Sequence, residues 1–482
     1  MAGFQDVDQK LTLPSPPLSG REQAPPLKWG KQAIRAADAR TRGGREGFDV
    51  AIIGGGYAGM AAAVALAQRG IPVTLFESAR QLGGRARGVV HQDTQLDNGQ
   101  HLLLGCYRQT LRLIEQVGGN LEQDFLRLPL QLDLHGEFSL RAPRLPAPLH
   151  LLVALLRAQG ISFGERMKAA RFMLALRRSN FHLPRDMTVA ELLARHGQDA
   201  ELAQKLWEPL CIAALNTPIR KASAQVLLNV LRDALSQSRA DSDMLLPRVD
   251  FTALFPQRAA NYVEQRGGKV LISCGVEAII PKDDGIELVT AQACSEPDRR
   301  RTERFSHVIC AAPPTVTAKL LRPISLLENT VAQIDSLEHQ PIYTLYLRYP
   351  AHVRLPHPMI GLHRRFSQWL FDKGQIAGQH GLLAAVISAE GIHQELPHEQ
   401  LAQKVIAELR EEFGISESPA WFKVIAEKRA TFCCAPNLRR PPPQTALPRL
   451  LLAGDYTAGD YPATLEGAVL SGLHCAGLIS GP

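Results

Sequence analysis

The run FDVAIIGGGYAGMAAAVALAQRGIPVTLFES, Phe48 to Ser78, admits few folds. An apolar strand, a glycine turn, an alanine-rich helix and a second apolar strand follow one another without interruption, which is the pattern of a βαβ unit. Gly54, Gly56 and Gly59 make G-x-G-x-x-G where the first strand gives way to the helix. The first glycine permits the tight turn, the second lets the backbone approach a pyrophosphate, and the third lets helix pack on strand. The helix N-terminus then meets the phosphate charge. Glu77 closes the second strand, 18 residues after Gly59, where a carboxylate can accept from ribose hydroxyls. An acid there disfavours a 2′-phosphate, so FAD or NAD is expected rather than NADP.

Two further stretches bear on the cofactor. RQLGGRARG sets a second glycine pair, Gly83 and Gly84, beside Arg85 and Arg87, and LLAGDYTAGDYPATLEGAVLSG carries Gly454, Asp455 and Glu466 some 400 residues downstream of the first loop. With the βαβ unit, these resemble the fingerprint of the amine oxidase and phytoene desaturase flavoprotein superfamily. The resemblance implies FAD. It places Gly84 and Arg85 along the pyrophosphate, Gly454 and Asp455 against the pyrophosphate and ribityl chain, and the helix opening near Thr464 with its N-terminus toward the flavin ring, where it would stabilise the charge of the reduced form. Glu466, on that helix, would serve as a cap or a ribityl contact. GKVLISCGVEAII resembles the middle segment of the family, with Val276 at the adenine. The fold class implied is α/β, a Rossmann-type FAD-binding domain interleaved with a discontinuous α+β substrate domain.

The rest of the chain fits that alternation. Residues 1–47 are rich in Pro, Gln, Ala and Arg and read as a flexible extension. We divide the remainder into a first FAD-binding segment (48–135), a helical substrate and membrane-contact region (136–245), a second FAD-binding segment (246–315), a sheet and helix of the substrate domain (316–430) and a third FAD-binding segment (431–482). Eight cysteines without a CxxC pair suggest neither a zinc site nor a disulfide framework. The net charge of +7 is concentrated, with eight Lys or Arg against one acid between Arg141 and His182, interleaved with Leu, Val, Phe and Met at helical spacing. That is the composition of an interfacial helix on anionic lipid. No stretch of about 18 apolar residues occurs, so a spanning helix is disfavoured. The expected location is the cytoplasm, peripherally on the inner face of the membrane. Aromatic interleaving and nucleic-acid motifs are lacking, so nucleic acid is not an expected partner.

Within the superfamily, amine oxidases place an aromatic residue two positions before the glutamate of the C-terminal motif, and here that position is Thr464, which weakens a cationic amine as substrate. LDNGQHLLLGCYRQT, LWEPLCIAALNTPIRKASAQVLLNVLRDAL and the C-terminal motif are similar to the hydroxysqualene dehydroxylases of bacterial hopanoid synthesis. The resemblance runs from about Phe48 to the C-terminus. It implies reductive loss of the hydroxyl of hydroxysqualene to give squalene, with FAD carrying the hydride and an external electron donor that no motif names. Two alternatives remain: a carotenoid-type or squalene-type polyene desaturase, and a non-catalytic isoprenoid carrier of the same fold.

LDNGQHLLLGCY, Leu96 to Tyr107, looks catalytic when taken alone. In the superfamily this strand passes beside the flavin, so Asp97 and Gly99 are expected to shape the loop and Asn98 to turn it. His101, with Gln100, is the candidate to meet the substrate hydroxyl or the flavin edge, since histidine is suited to proton transfer near neutral pH. Its alternative is a structural hydrogen bond.

Overall fold

In a computed structural model, residues 48–198, 200–235, 237–292 and 300–480 are described, and the expected N-terminal extension lies outside them. The apolar run at the start forms strand Val50–Ile53, helix α1 (Tyr57–Gln68) and strand Val73–Phe76. Both strands are nearly or fully buried along their length, as parallel strands covered on two faces must be. They sit in a five-stranded parallel sheet whose order is Lys269–Leu271, Val73–Phe76, Val50–Ile53, His307–Cys310, Leu450–Leu452. One sheet thus draws on three distant parts of the chain.

Five more helices position the site: α2 (Arg108–Gln116), α3 (Leu149–Arg157), α4 (Phe163–Arg178), α5 (Ala224–Leu235) and α6 (Leu465–Leu478). α6 lies on α1 so closely that a Cβ at Gly472 would come 2.1 Å from the Ala58 carbonyl oxygen, which is why a glycine stands there. α4 starts in a capping box: Ser162 accepts from the Glu165 amide while the Glu165 carboxylate accepts from the Ser162 amide.

A second, seven-stranded sheet runs Trp421–Phe432, His339–Arg348, Leu382–Ser388, Trp369–Asp372, Met359–Gly361, Gln131–Leu134, Phe138–Arg141. It is antiparallel except where Gly361 meets Leu134. The hairpin Gln131–Arg141 corrects one expected boundary. The expected end of the first FAD-binding segment, residue 135, falls inside this hairpin, whose strands extend the larger sheet. The reason is that Leu132, Leu134, Phe138 and Leu140 are all buried, so both strands need the apolar layer that the parallel sheet does not offer them.

Candidate active site

A cavity of about 750 Å³ opens at the carboxyl end of strand Val50–Ile53 and continues between the larger sheet and the helices of the 149–235 region. At one end it is lined by backbone. Gly54 has φ of +108°, and a Cβ there would meet the Ala311 carbonyl oxygen at 2.7 Å. A Cβ at Gly59 would come within 2.0 Å of the Gly54 carbonyl oxygen, so this glycine serves helix-on-strand packing and does not line the cavity. At Gly56 a Cβ would point into open space, with only Gly84 Cα at 3.9 Å. The second glycine is therefore the one whose missing side chain leaves room for a ligand.

The two glycine loops lie side by side. Gly83 donates its amide to the Gly55 carbonyl (2.9 Å), Gly56 and Gly83 form a parallel bridge, and Gly84 has φ of +61°. Glu77 secures the first loop, accepting from the Gly55 amide and the Ala79 amide at 2.7 Å each. Arg85 reaches across to the C-terminal motif, pairing with Asp455 at 2.5 Å and donating to the Ala430 carbonyl at 2.8 Å. Burial works against its charge, yet Asp455 keeps the guanidinium above its ordinary value. Gly54, Gly56, Glu77, Gly84, Arg85, Val276, Gly454 and Asp455 all line one continuous cavity. Two helix N-termini, those of α1 and α6, border it, and Thr464 caps α6 by accepting from the Gly467 amide at 3.1 Å. Bare amides, a glycine-made cradle and one arginine fit the pyrophosphate of a dinucleotide.

Of the two roles expected of Glu466, the structure shows the cap and not the ribityl contact. Its carboxylate accepts from the Gln109 amide (3.0 Å), the Thr110 amide (2.9 Å) and the Thr110 hydroxyl (2.7 Å). It does not line the cavity. The physical reason is that α2 begins with Tyr107, which offers no side-chain cap, so the free amides of its first turn need an acceptor, and Glu466 supplies one from α6.

The opening stretch divides. The Asp97 carboxylate accepts from the Phe251 amide (2.9 Å), and its backbone carbonyl takes the Tyr346 hydroxyl (3.0 Å). Asn98 exchanges hydrogen bonds with the backbone of Arg87, by its amide (2.9 Å) and its side-chain oxygen (3.0 Å). Neither acts as a free side chain, and Leu103 and Leu104 continue as strand. His101 does line the cavity. Its Nδ1 donates to the Gly99 carbonyl (2.8 Å) and its ring packs on Phe251 with centroids 4.8 Å apart. Burial, with a smaller contribution from Arg85, lowers its pKa below the usual value against the pull of the Gly99 carbonyl.

Sequence reasoning missed the group behind Gln100. Lys373 is buried and donates to Gln100 Oε1 at 3.4 Å, with Asp97 and Asp250 nearby. Burial raises the Asp97 carboxyl to about 7, opposed by Lys373 and the Phe251 amide. It lowers the Lys373 ammonium in turn. Only the strand-to-helix junction at Asp372, which accepts from the Gly374 and Gln375 amides, could have marked this position as a structured corner.

Beyond the cradle the walls become apolar. Leu151 and Leu155 of α3, Met173 of α4, Leu206, Trp207 and Leu210, and Trp369 and Phe371 of the larger sheet face the same cavity. The nucleotide cradle thus opens directly into a hydrocarbon chamber, an arrangement that suits a cofactor-dependent enzyme.

The comparisons agree with that class. The model of the flavin-containing amine oxidoreductases matches residues 57–480, and the chain belongs to this family. It is a flavin-dependent oxidoreductase, and the dinucleotide cradle makes the flavin FAD. It is similar to the hydroxysqualene dehydroxylases of Sinorhizobium fredii, 27% identical over 89% of this chain and 98% of that one, and of Rhodopseudomonas palustris, 28% identical with the same coverage. It also resembles the zeta-carotene desaturase of Arabidopsis thaliana, at 25% over 89% of this chain and 85% of the other. Among solved structures, the fold is shared with an oxidoreductase from Methanosarcina mazei (TM-score 0.69, 15% identity, 89% and 99% coverage) and with cyclohexylamine oxidase from Brevibacterium oxydans (TM-score 0.64, 18%, 89% and 98%). Family membership replaces the carrier alternative with an enzyme.

Proposed function

We propose that this chain removes the hydroxyl of hydroxysqualene reductively to give squalene. The observation that carries the reading is the unbroken passage from the glycine cradle into an apolar chamber, in a chain that spans 98% of the length of hydroxysqualene dehydroxylases. FAD, when bound and reduced by an external donor, would supply a hydride to the carbon from which the hydroxyl leaves, with a proton from solvent, as water. The protein's part is binding, orientation and exclusion of water. Gly54, Gly56, Gly84 and Arg85 would hold the pyrophosphate, Glu77 the ribose, Val276 the adenine, and Gly454 with Asp455 the ribityl end.

His101 enters this reading as an acceptor and not as an acid. With Nδ1 committed to the Gly99 carbonyl and the pKa lowered, the ring is neutral at pH 7 and presents Nε2 as a lone pair. It can receive a hydrogen bond from a substrate hydroxyl or the flavin edge, but has no proton there to give.

The substrate is water-insoluble, and the chamber wall suggests how it arrives. α3 and α4 turn Leu151, Leu155 and Met173 inward while exposing Leu149 (50%), Leu152 (44%), Phe163 (68%) and Leu174 (48%). Arg144, Arg157, Arg171, Arg177 and Arg178 are exposed around them. No helix among the described residues is long and apolar enough to cross a membrane. Exposed apolar side chains interspersed with exposed arginines along one stretch of chain suit the surface of an anionic bilayer. Wild-type protein should float with anionic vesicles, less so at high salt, and a Leu149→Glu/Leu152→Glu variant should not; a protein that ignores such vesicles removes this part of the reading.

The central test is anaerobic. Photoreduced holoenzyme mixed with hydroxysqualene should reoxidise and yield one squalene per flavin, and absence of squalene overturns the proposal. The zeta-carotene desaturase relatives support a second reading, the oxidative direction on a polyene. Oxidised enzyme that dehydrogenates phytoene or squalene, while reduced enzyme leaves hydroxysqualene intact, would select it.

A further inference from the structure

The acids that line the cavity are not equivalent. Glu77 and Asp455 belong to the cradle, and Glu427 lies on the strand whose Ala430 carbonyl receives Arg85. Asp233 stands apart from them, on α5, the helix whose Leu227, Val230 and Leu231 line the apolar chamber. Its side chain is 14% exposed and paired with Arg232 (2.8 Å). Asp233 Oδ2 accepts the hydroxyl of Tyr461 at 2.7 Å, and Tyr461 also lines the cavity.

Both side chains are held in place. The Arg440 guanidinium donates to the carbonyls of Asp455 (3.2 Å) and Tyr461 (3.1 Å), and also to that of Gly459, so the loop leaving the cradle folds back over one cation. Asn229 of α5 donates to the Asp460 carbonyl at 3.0 Å and docks the acid-bearing helix on that loop. The pair therefore sits at the seam where the chain leaves the cradle and meets the chamber. Asn216, also on the wall, is occupied: its amide donates to the Pro341 carbonyl and the Thr431 hydroxyl and accepts from the Ala389 amide. The neighbouring Cys106 thiol is raised to about 12 by burial and then by Asp233, Glu466 and Asp241, so it stays neutral beside them.

The hydrogen-bond count shows what this arrangement can take. Tyr461 spends its one hydrogen on Asp233, leaving the phenolic oxygen as an acceptor, and Asp233 Oδ1 has accepting capacity beyond its bond to Arg232. Two acceptors on residues that line an apolar chamber offer nothing to an alkene and a partner to an alcohol.

We propose that Asp233 and Tyr461 are the hydroxyl-binding pair of the chamber: they accept the hydroxyl hydrogen of an allylic polyprenyl alcohol and make the site select alcohol over hydrocarbon. This deepens the dehydroxylation reading and rests on it for the identity of the substrate. The pair positions the C–O bond and performs no proton transfer itself. A site built to hydrogen-bond a hydroxyl rejects an analogue lacking it by factors that reach about 10⁴, because its own buried groups are then left unpaired.

The test uses oxidised holoprotein titrated separately with hydroxysqualene and with squalene, following the perturbation of flavin absorbance. Wild type should bind the alcohol at least ~10-fold more tightly, the scale of one hydrogen bond to a charged group. Tyr461→Phe and Asp233→Asn should each bring that ratio close to one while retaining flavin and squalene affinity. A wild type without preference, or variants that keep it, would overturn the pair. If one variant fails to fold, the other decides. Wild type that prefers the alcohol yet forms no squalene when reduced would sink dehydroxylation and leave the hydroxyl pair standing.

Discussion

The cradle and the chamber share one cavity but are built by opposite means. The cradle is made of backbone: two glycine loops, two helix ends and one ion pair, each at a separation the chain itself prescribes. The chamber is made of side chains from α3, α4, α5 and the larger sheet, which meet only after folding. The difference teaches that cofactor identity is written locally and substrate identity is not. Changes in the first region should act through conformation, and changes in the second through shape and single polar contacts.

The largest expected effect separates two glycines of one motif. Gly59→Ala puts a Cβ 2.0 Å from a backbone oxygen and should cost several kcal/mol, enough to leave little folded protein by circular dichroism. Gly56→Ala points into open cradle, so it should keep the fold and Tm of the apoprotein while losing flavin absorbance. If both behave alike, the division of labour within the motif is wrong. Next is Arg85→Gln, which strands Asp455 at 8% exposure. We expect a loss of about 1–3 kcal/mol in urea unfolding, together with weaker FAD retention.

The chamber should respond differently. Met173→Trp fills space on the substrate side and should raise KM for a C30 substrate by about tenfold or more, with flavin content and Tm within a degree or two of wild type. A parallel loss of flavin would contradict the separation of the two regions. The last effect depends on pH and concerns the corner behind Gln100. Burial lifts Asp97 from 3.8 to about 7, so the folded chain holds this proton more tightly than the unfolded one. The stability Asp97 contributes is full below pH 4 and is lost as pH climbs through 7. Asp97→Asn removes that dependence, and its Tm relative to wild type should rise between pH 4 and pH 7.5. A constant difference across the range would show that Asp97 does not titrate there.

The cradle was legible because glycine has few reasons to occur in such patterns. Gly54, Gly84 and Gly454 stand at positive φ, and the strand, loop and helix around each were apparent from apolar runs. Which of its two expected roles Glu466 takes was not legible, because the helix start it caps, at Gln109, lies 357 residues away. The hairpin Gln131–Arg141 was assigned to the wrong layer, since alternation predicts a strand but not the sheet it joins. Lys373 and the Asp233–Tyr461 pair gave no signal, because an acid in an amphipathic helix reads as its solvent face until the opposite wall is known.

The parallel sheet that carries the cradle takes its last strand from Leu450–Leu452, and Arg85 finds its partner only at Asp455. At roughly 5–20 residues per second, synthesis of the intervening chain takes roughly 20–80 s. During that interval the nascent protein has made the first glycine loop but owns no complete cofactor site. Its apolar chamber helices are already exposed, and the helices with outward-facing leucines and arginines are among them. A growing chain in that condition cannot hold its flavin until the last strand of the sheet and Asp455 have been made.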